Sequence, residues 1–172
     1  MSKLTCTRII CSIGISALVI AVDQVSKLLI ISKLCNFPEC IMVFPGINFI
    51  QVWNKGVSFG MLSAISDWEV WILISLALLI CCFMIAVMMQ TTRLSTIVSL
   101  SAVIGGGIGN IIDRLLYGAV LDFVDVHYQK WHWPAFNIAD CAIVLGVSFL
   151  LINSFNIDKS QHENPKKYKS KR

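Results

Sequence analysis

The chain has 172 residues, of which 56% are hydrophobic and only 14% charged, and its formal net charge at pH 7 is +4. A soluble domain carries roughly 25% charged residues, so this composition argues against a water-soluble enzyme or binding module. The mean hydropathy of +0.75 indicates that lipid is the solvent for most of one domain.

Four stretches are long and apolar enough to cross a membrane, which takes about 20 residues per helix. Three of them, Val70–Met89, Leu94–Ile112 and Cys141–Ile157, carry no charge, and the first, Ile9–Ser32, is interrupted only by Asp23 and Lys27. No small-residue cleavage site follows the first stretch, so we expect a retained helix rather than a signal peptide. The sequence predicts an all-α membrane protein with one domain over residues 1–158. The predicted spans are residues 9–33, 69–90, 94–114 and 139–157.

The segment between the first two spans, residues 34–68, is rich in β-forming residues. The runs Ile47–Trp53 and Val57–Met61 read as strands, and Asn54–Gly56 between them suits a hairpin turn. We expect a small β-hairpin or sheet here, on the outer surface of the membrane. Asn54 either makes the turn or points at a ligand. The same segment holds Cys35 and Cys40, for which a disulfide is permitted but not required.

The basic residues predict the orientation of the chain. Lys3 and Arg8 precede the first span, Arg93 joins the second to the third, and residues 159–172 form a basic tail. Four spans place all three segments on one face, which is cytoplasmic by the positive-inside rule. The tail is predicted to be disordered, and anionic lipid is a better partner for it than nucleic acid.

Four aspartates lie inside or at the ends of the apolar stretches, toward the same side of the membrane. They are Asp23, Asp113, Asp122 and Asp140. A carboxylate near hydrocarbon is costly and is therefore a candidate for a functional site. Lys27 follows Asp23 by one helical turn, so the two can pair on one face. A buried structural ion pair and a contact to substrate are both open interpretations of this pair.

Further polar residues cluster at the outer ends of the third and fourth spans. Asn110 and Asp113 are three residues apart on one helix face, and Asp113 with Arg114 also fits a charge pair at the end of a span. Asn137 fits the cap of the fourth helix, where the helix dipole favours Asp140 in the first turn. Each of these residues therefore has a structural explanation beside a functional one.

Familiar catalytic and metal motifs are absent from the sequence. There is no Gly-x-Ser-x-Gly, no His-Glu-x-x-His and no phosphate-binding loop, since the glycines at 105–109 lie within a span and fit helix packing. Asp125, His127 and His132 are the nearest approach to a metal-ligand set, but loop histidines beside tryptophans are more often interfacial. We expect neither a metal nor a cofactor.

The remaining chemistry is that of paired carboxylates. Two aspartates held close together share a proton, so one acts as a base toward water while the other donates to a carbonyl oxygen. This arrangement hydrolyses peptides without a covalent intermediate. The residues alone leave the pair open among Asp113, Asp122 and Asp140.

Five segments, in chain order, resemble the pattern of bacterial lipoprotein signal peptidase, or signal peptidase II. Any one segment is weak, but five at family-like spacing together with four spans are specific, and they extend from the first span to the fourth. Val57 is bulkier than the small residue common at its position. The segments are Asp23–Lys27, Asn54–Gly60, Gly106–Arg114, Val120–Phe123 and Phe136–Asp140.

The resemblance implies roles for individual residues. By position, Asp122 and Asp140 match the catalytic aspartates of the family. Asp113 matches a supporting position rather than a catalytic one. The residues implied to bind substrate or brace the site are Asp23, Lys27, Asn54, Asn110, Asp113, Arg114 and Asn137.

The resemblance also implies an activity and a location. It implies a monomeric aspartic endopeptidase of the bacterial cytoplasmic (inner) membrane, with both termini cytoplasmic and the site on the extracytoplasmic side. Its partners are membrane lipid and prolipoproteins, which it cuts before a diacylglyceryl-modified Cys. The alternative is a small transporter or channel with an intramembrane Asp/Lys relay. That alternative predicts polar residues throughout the depth of the membrane, whereas the inner halves of spans two to four carry no charge.

Overall fold

The computed structural model describes residues 3–34, 40–56 and 67–163, with side chains for 7–34, 40–56 and 68–155. Four helices in it are long and apolar enough to cross a membrane. These helices contain the four predicted spans and confirm the predicted fold class. In chain order the elements are α1 Lys3–Leu34, β1 Ile41–Phe44, β2 Ile47–Asn54, α2 Asp67–Gln90, α3 Leu94–Tyr117, β3 Val120–Tyr128, β4 Trp131–His132 and α4 Ile138–Glu163.

Helix α3 is the centre of the bundle, because it contacts each of the other three helices. Its glycines allow the close approach. A Cβ at Gly106 would lie 2.5 Å from the carbonyl oxygen of Ala139 in α4, and one at Gly105 would lie 2.9 Å from the carbonyl oxygen of Ser16 in α1. The packing function predicted for this glycine run is therefore confirmed. The other helices expose large apolar side chains outward, as lipid-facing helices do.

The sheet lies at one end of the helices and has the antiparallel order β1-β2-β3-β4. It confirms the predicted β-structure between α1 and α2 and adds β3 and β4, which lie between α3 and α4 and are not predicted from the sequence. A hairpin turn at Gly46, which has a φ of 87°, joins β1 to β2. The strand predicted at 57–61 lies outside the described residues.

The C-terminal ends of α3 and α4 determine where β3 begins and how far the last helix extends. Gly118, in the left-handed conformation with φ 69°, ends α3 and donates its N–H to the carbonyl of Arg114. The chain then enters β3 directly. At the other end, α4 continues to Glu163, so residues 159–163 are helical where the sequence predicts a disordered tail. Residues 164–172 and Cys35 lie outside the described part of the chain.

Candidate active site

Asp122 and Asp140 meet at the junction of the sheet with the helices. Asp122 lies on β3, and Asp140 lies in the first turn of α4. Asn137 joins them, because its Nδ2 donates to Asp122 Oδ1 at 2.7 Å and its backbone N–H donates to Asp140 Oδ2 at 3.2 Å. Asn137 Oδ1 in turn accepts the N–H of Asp140 at 2.9 Å, so it also caps the helix as the sequence predicts. Asn137 is fully buried, which fixes this bridge.

Two further amides complete the ring of donors around the carboxylates. Asn54 Nδ2 donates to Asp122 Oδ2 at 3.0 Å, and Asn110 Nδ2 donates to Asp140 Oδ1 at 2.9 Å. The Oδ1 of Asn54 also accepts the N–H of Gly56 at 3.1 Å. Asn54 therefore makes the turn, as one of the two interpretations of the sequence predicts, and it also contacts Asp122.

A cleft of about 430 Å³ opens onto both carboxylates. Its lining combines the two aspartates and the amides of Asn54 and Asn110 with several apolar residues. Such a mixed lining can bind a ligand that has both polar and apolar groups. The lining residues are Asn54, Gly56, Leu73, Asn110, Arg114, Val120, Asp122, Trp133, Pro134, Ala135, Phe136 and Asp140.

The environment of Asp122 favours its protonated form. Burial raises the pKa of Asp122 to about 6, and the neighbouring charge of Asp140 adds to the rise. The hydrogen bonds from Asn54 and Asn137 oppose it, because they stabilise the carboxylate. Asp122 can thus hold a proton in the pH range in which an isolated aspartate has lost it.

A second, buried cluster lies directly behind the cleft. Lys27 Nζ lies 2.7 Å from Asp23 Oδ2, 2.8 Å from Asp113 Oδ2 and 3.2 Å from Asn110 Oδ1. The exposed fractions of Asp23, Lys27 and Asp113 are 0%, 3% and 1%. The predicted Asp23–Lys27 pair is present, but the ion-pair partner of Asp113 is Lys27 and not the adjacent Arg114, among the residues with described side chains.

This cluster holds the backbone on which the two cleft aspartates lie. Asp113 Oδ2 accepts the N–H of Leu121, one residue before Asp122, at 3.2 Å. Asp23 Oδ1 accepts the N–H of Ala139, one residue before Asp140, at 2.9 Å. The two inner aspartates therefore brace the two outer ones through the main chain.

Arg114 and Gln24 complete the polar network. Arg114 lines the cleft, and its Nη1 donates to the carbonyl of Asn110 at 3.2 Å. Gln24 is absent from the site predicted from the sequence, yet its Nε2 donates to Asp113 Oδ1 at 2.8 Å and to Asp23 Oδ2 at 3.2 Å. The feature of the sequence that could have identified Gln24 is that it is an amide side chain inside an apolar span, next to Asp23.

The fold and the site together define a multi-pass membrane protein with a carboxylate-lined cleft at one end of its helices. Residues 15–156 match the signal peptidase (SPase) II family, and the chain belongs to that family of peptidases. A lipoprotein signal peptidase from Anaplasma phagocytophilum (strain HZ) is 43% identical over 141 residues, which are 81% of this chain and 89% of that protein.

Other relatives agree with this assignment. A lipoprotein signal peptidase from Polynucleobacter necessarius subsp. necessarius (strain STIR1) is 39% identical over 142 residues, covering 81% of this chain and 85% of that protein. A solved structure of a bacterial membrane enzyme has a TM-score of 0.77 and 27% identity, covering 88% of this chain and 91% of that chain. The likeness extends over sequence and fold, and the family match over residues 15–156 includes every residue that lines the cleft.

Proposed function

We propose that this protein is an aspartic endopeptidase that removes the signal peptide from prolipoproteins, cutting before the lipobox Cys that carries diacylglycerol. Membership of the signal peptidase II family supports the removal of a signal peptide. The observation that carries the aspartic assignment is the placement of Asp122 and Asp140 on one cleft, joined through Asn137.

In the proposed reaction, water adds to the scissile carbonyl between the two carboxyl groups. One aspartate, as carboxylate, takes a proton from the water while the other, as acid, donates its proton to the carbonyl oxygen. The tetrahedral intermediate collapses when the aspartate that took a proton from water passes it to the nitrogen of the Cys and the C–N bond breaks. The other aspartate takes its proton back from the hydroxyl as the new carboxyl group forms. The raised pKa of Asp122 supports that residue as the holder of the shared proton at rest.

The supporting residues act in the proposed mechanism by positioning. Asn54, Asn110 and Asn137 orient the carboxylate oxygens, and the buried Asp23–Lys27–Asp113 cluster holds their backbone. Arg114 lines the cleft, where its N–H groups can donate to carbonyls of the bound peptide. This division assigns chemistry to two aspartates and support to the other two.

The proposed setting is the cytoplasmic (inner) membrane of a bacterium, with both termini cytoplasmic and the protein monomeric. The cleft then lies near the extracytoplasmic surface, where water is available. The apolar helix of the signal peptide enters from lipid between the spans, and the diacylglyceryl group stays in lipid. The exposed apolar faces of the helices support direct contact with membrane lipid.

The test compares Asp122→Asn and Asp140→Asn with the wild type on a purified, diacylglyceryl-modified lipobox substrate. Each variant should lose at least about 10³-fold in cleavage rate while still inserting into the membrane, because Asn cannot exchange the proton. Asp158→Asn, the same change elsewhere in α4, is the matched control and should cleave normally. Substantial cleavage by either site variant would contradict the aspartic mechanism.

The same assay tests the substrate. The modified substrate should be cut and the unmodified one spared, since the diacylglyceryl group anchors the Cys in lipid. Equal cleavage of both would contradict the proposed specificity. Ion flux through protein-containing liposomes without any proteolysis would favour the alternative of a transporter or channel.

A further inference from the structure

A second polar junction lies on the sheet, outside the proposed catalytic network. Asp125 on β3 is only 5% exposed, and its two carboxylate oxygens are held by two different strands. His132 Nδ1 of β4 lies 2.8 Å from Asp125 Oδ1, and Asn48 Nδ2 of β2 donates to Asp125 Oδ2 at 3.1 Å. One buried carboxylate therefore joins three strands. Because a carboxylate only accepts, Nδ1 of His132 carries the hydrogen.

The strand β4 that this junction holds leads directly into the wall of the cleft. Trp133, Pro134, Ala135 and Phe136 follow His132 without interruption, and all four line the cleft. The next residue along the chain is the Asn that bridges the two aspartates. A displacement of β4 therefore changes the shape of the cleft where these four residues line it.

The wall has few backbone bonds of its own. Trp133 N–H donates to the carbonyl of Val126 at 2.8 Å, and Phe136 exchanges bonds with Val124 at 3.2 and 2.9 Å. Between these points Pro134 has no N–H to donate. The wall is thus fixed at its two ends, and the side-chain junction of Asp125 with His132 strengthens the end that enters the cleft.

The junction of Asp125 with His132 lacks the additional side chains that a metal site or a second catalytic site would need. In the part of the chain that the structure describes, no group of three His, Cys, Asp or Glu side chains is arranged to hold a metal ion. His127 stacks on His132 with ring centroids 5.1 Å apart, whereas the side-chain hydrogen bonds of Asp125 go to Asn48 and His132. The arrangement is typical of a structural hydrogen-bond network rather than of a metal site or a nucleophile site.

We infer that Asp125 and His132 are positioning residues that set the wall of the cleft at Trp133–Phe136 and thereby the affinity for substrate. This inference rests on the proposed function. It predicts an effect on KM rather than on kcat, because the side-chain hydrogen bonds of Asp125 join it to Asn48 and His132 and not to the two cleft aspartates or their amide partners. A displaced wall that removes about 1.4 kcal/mol of substrate-binding free energy would raise KM about tenfold.

The experiment measures kcat and KM on the diacylglyceryl-modified substrate for the wild type and a set of variants. His132→Leu should raise KM about tenfold and leave kcat within about twofold. His132→Asn, whose amide can donate near the position of Nδ1, should restore most of the affinity. His127→Leu, which removes the stacked ring but not the junction, is the matched control and should have a near-normal KM. In an Asp125→Asn background, His132→Leu should add little, because the two residues act as one unit.

Three outcomes would overturn the inference: an unchanged KM in His132→Leu, a fall in kcat alone, or equal effects of His132→Leu and His127→Leu. If His132→Leu fails to fold, Asp125→Asn takes its place, because it weakens the same junction and should raise KM with little change in kcat. An unchanged KM in Asp125→Asn would then overturn the inference. Asp122→Asn is run in parallel. If it remains active, the proposed function is wrong. If it is inactive while the His132 variants match the wild type, only the positioning role fails.

Discussion

Asp122 is the residue whose ionisation should govern the pH dependence of cleavage. Its pKa is about 6, chiefly because burial disfavours the charged form. If Asp122 supplies the proton to the carbonyl oxygen, kcat/KM should fall above about pH 6, tenfold per pH unit, as this proton is lost. A rate profile on the modified substrate measures this limb.

The hydrogen bond from Asn54 offers a control for this assignment. It lowers the pKa of Asp122 by stabilising the carboxylate, so Asn54→Ala should move the falling limb to higher pH. A profile whose limb does not move in Asn54→Ala, or that lacks a limb near pH 6, would contradict the role of Asp122 as the acid.

Lys27 is the residue on which the stability of the buried cluster depends. Lys27→Met keeps a similar volume but leaves Asp23 and Asp113 as buried, unpaired carboxylates. We expect the free energy of unfolding to fall by about 3–5 kcal/mol, measured by denaturation in mixed micelles. Lys33→Met, at an exposed position of the same helix, should change it by less than about 0.5 kcal/mol.

A small change in the free energy of unfolding of Lys27→Met would contradict this account of Lys27. Neutralising both partners, with Asp23→Asn and Asp113→Asn added to Lys27→Met, should recover part of the loss. If the triple variant is no more stable than Lys27→Met, unpaired charge is not the cause.

At the scale of the element, α3 depends on glycines where it meets its neighbours. In Gly106→Ala the new methyl would lie 2.5 Å from Ala139 O and 2.8 Å from Ile143 Cγ1, so α3 and α4 must separate. We expect a loss of about 1–3 kcal/mol in unfolding free energy, together with reduced cleavage, because α4 carries Asp140.

Gly14→Ala is the matched control within a helix. Nothing lies within 4 Å of a Cβ at Gly14 in α1, so this change should leave stability the same or slightly higher. Comparable losses in both variants would mean that helix packing at Gly106 is not limiting. Thermal unfolding of the two purified variants makes the comparison.

The strand β3 shows where local sequence fails to predict an element. Its first four residues are all buried, so the strand lacks the alternation of buried and exposed side chains that marks a surface strand. It forms because β2 pairs with it from a distant part of the chain, with Val52 opposite Asp122. Asp122 therefore lies on a strand and not in a loop, and this orients its side chain into the cleft.

At the scale of the whole molecule, the testable property is the orientation in the membrane. Four spanning helices place the link around Thr92 on the face opposite the sheet. In cells expressing a variant without the native cysteines, Lys130→Cys should react with a membrane-impermeant thiol reagent added outside. Thr92→Cys should react only after permeabilisation; both positions are exposed. The reverse pattern would contradict cytoplasmic termini and a cleft that faces outward.

The sequence by itself determined the four helices, the side of the bundle on which the polar residues lie, and the i, i+4 pairing of Asp23 with Lys27. These follow from local physics, because a hydrocarbon core dictates the length and apolar character of a span, and a helix brings residues four apart onto one face. The resemblance in five short segments added the family, which the comparisons confirm.

Only the tertiary structure decided which groups meet. Asp113 pairs with Lys27 rather than with its neighbour in the chain, Gln24 joins both inner aspartates, and Asn137 bridges Asp122 to Asp140. These contacts join residues on different helices and strands, so they depend on how α1, α3, α4 and β3 pack. The local sequence patterns predict that the four aspartates lie at one depth in the membrane. The packing of helices and strands determines which side chains each aspartate contacts.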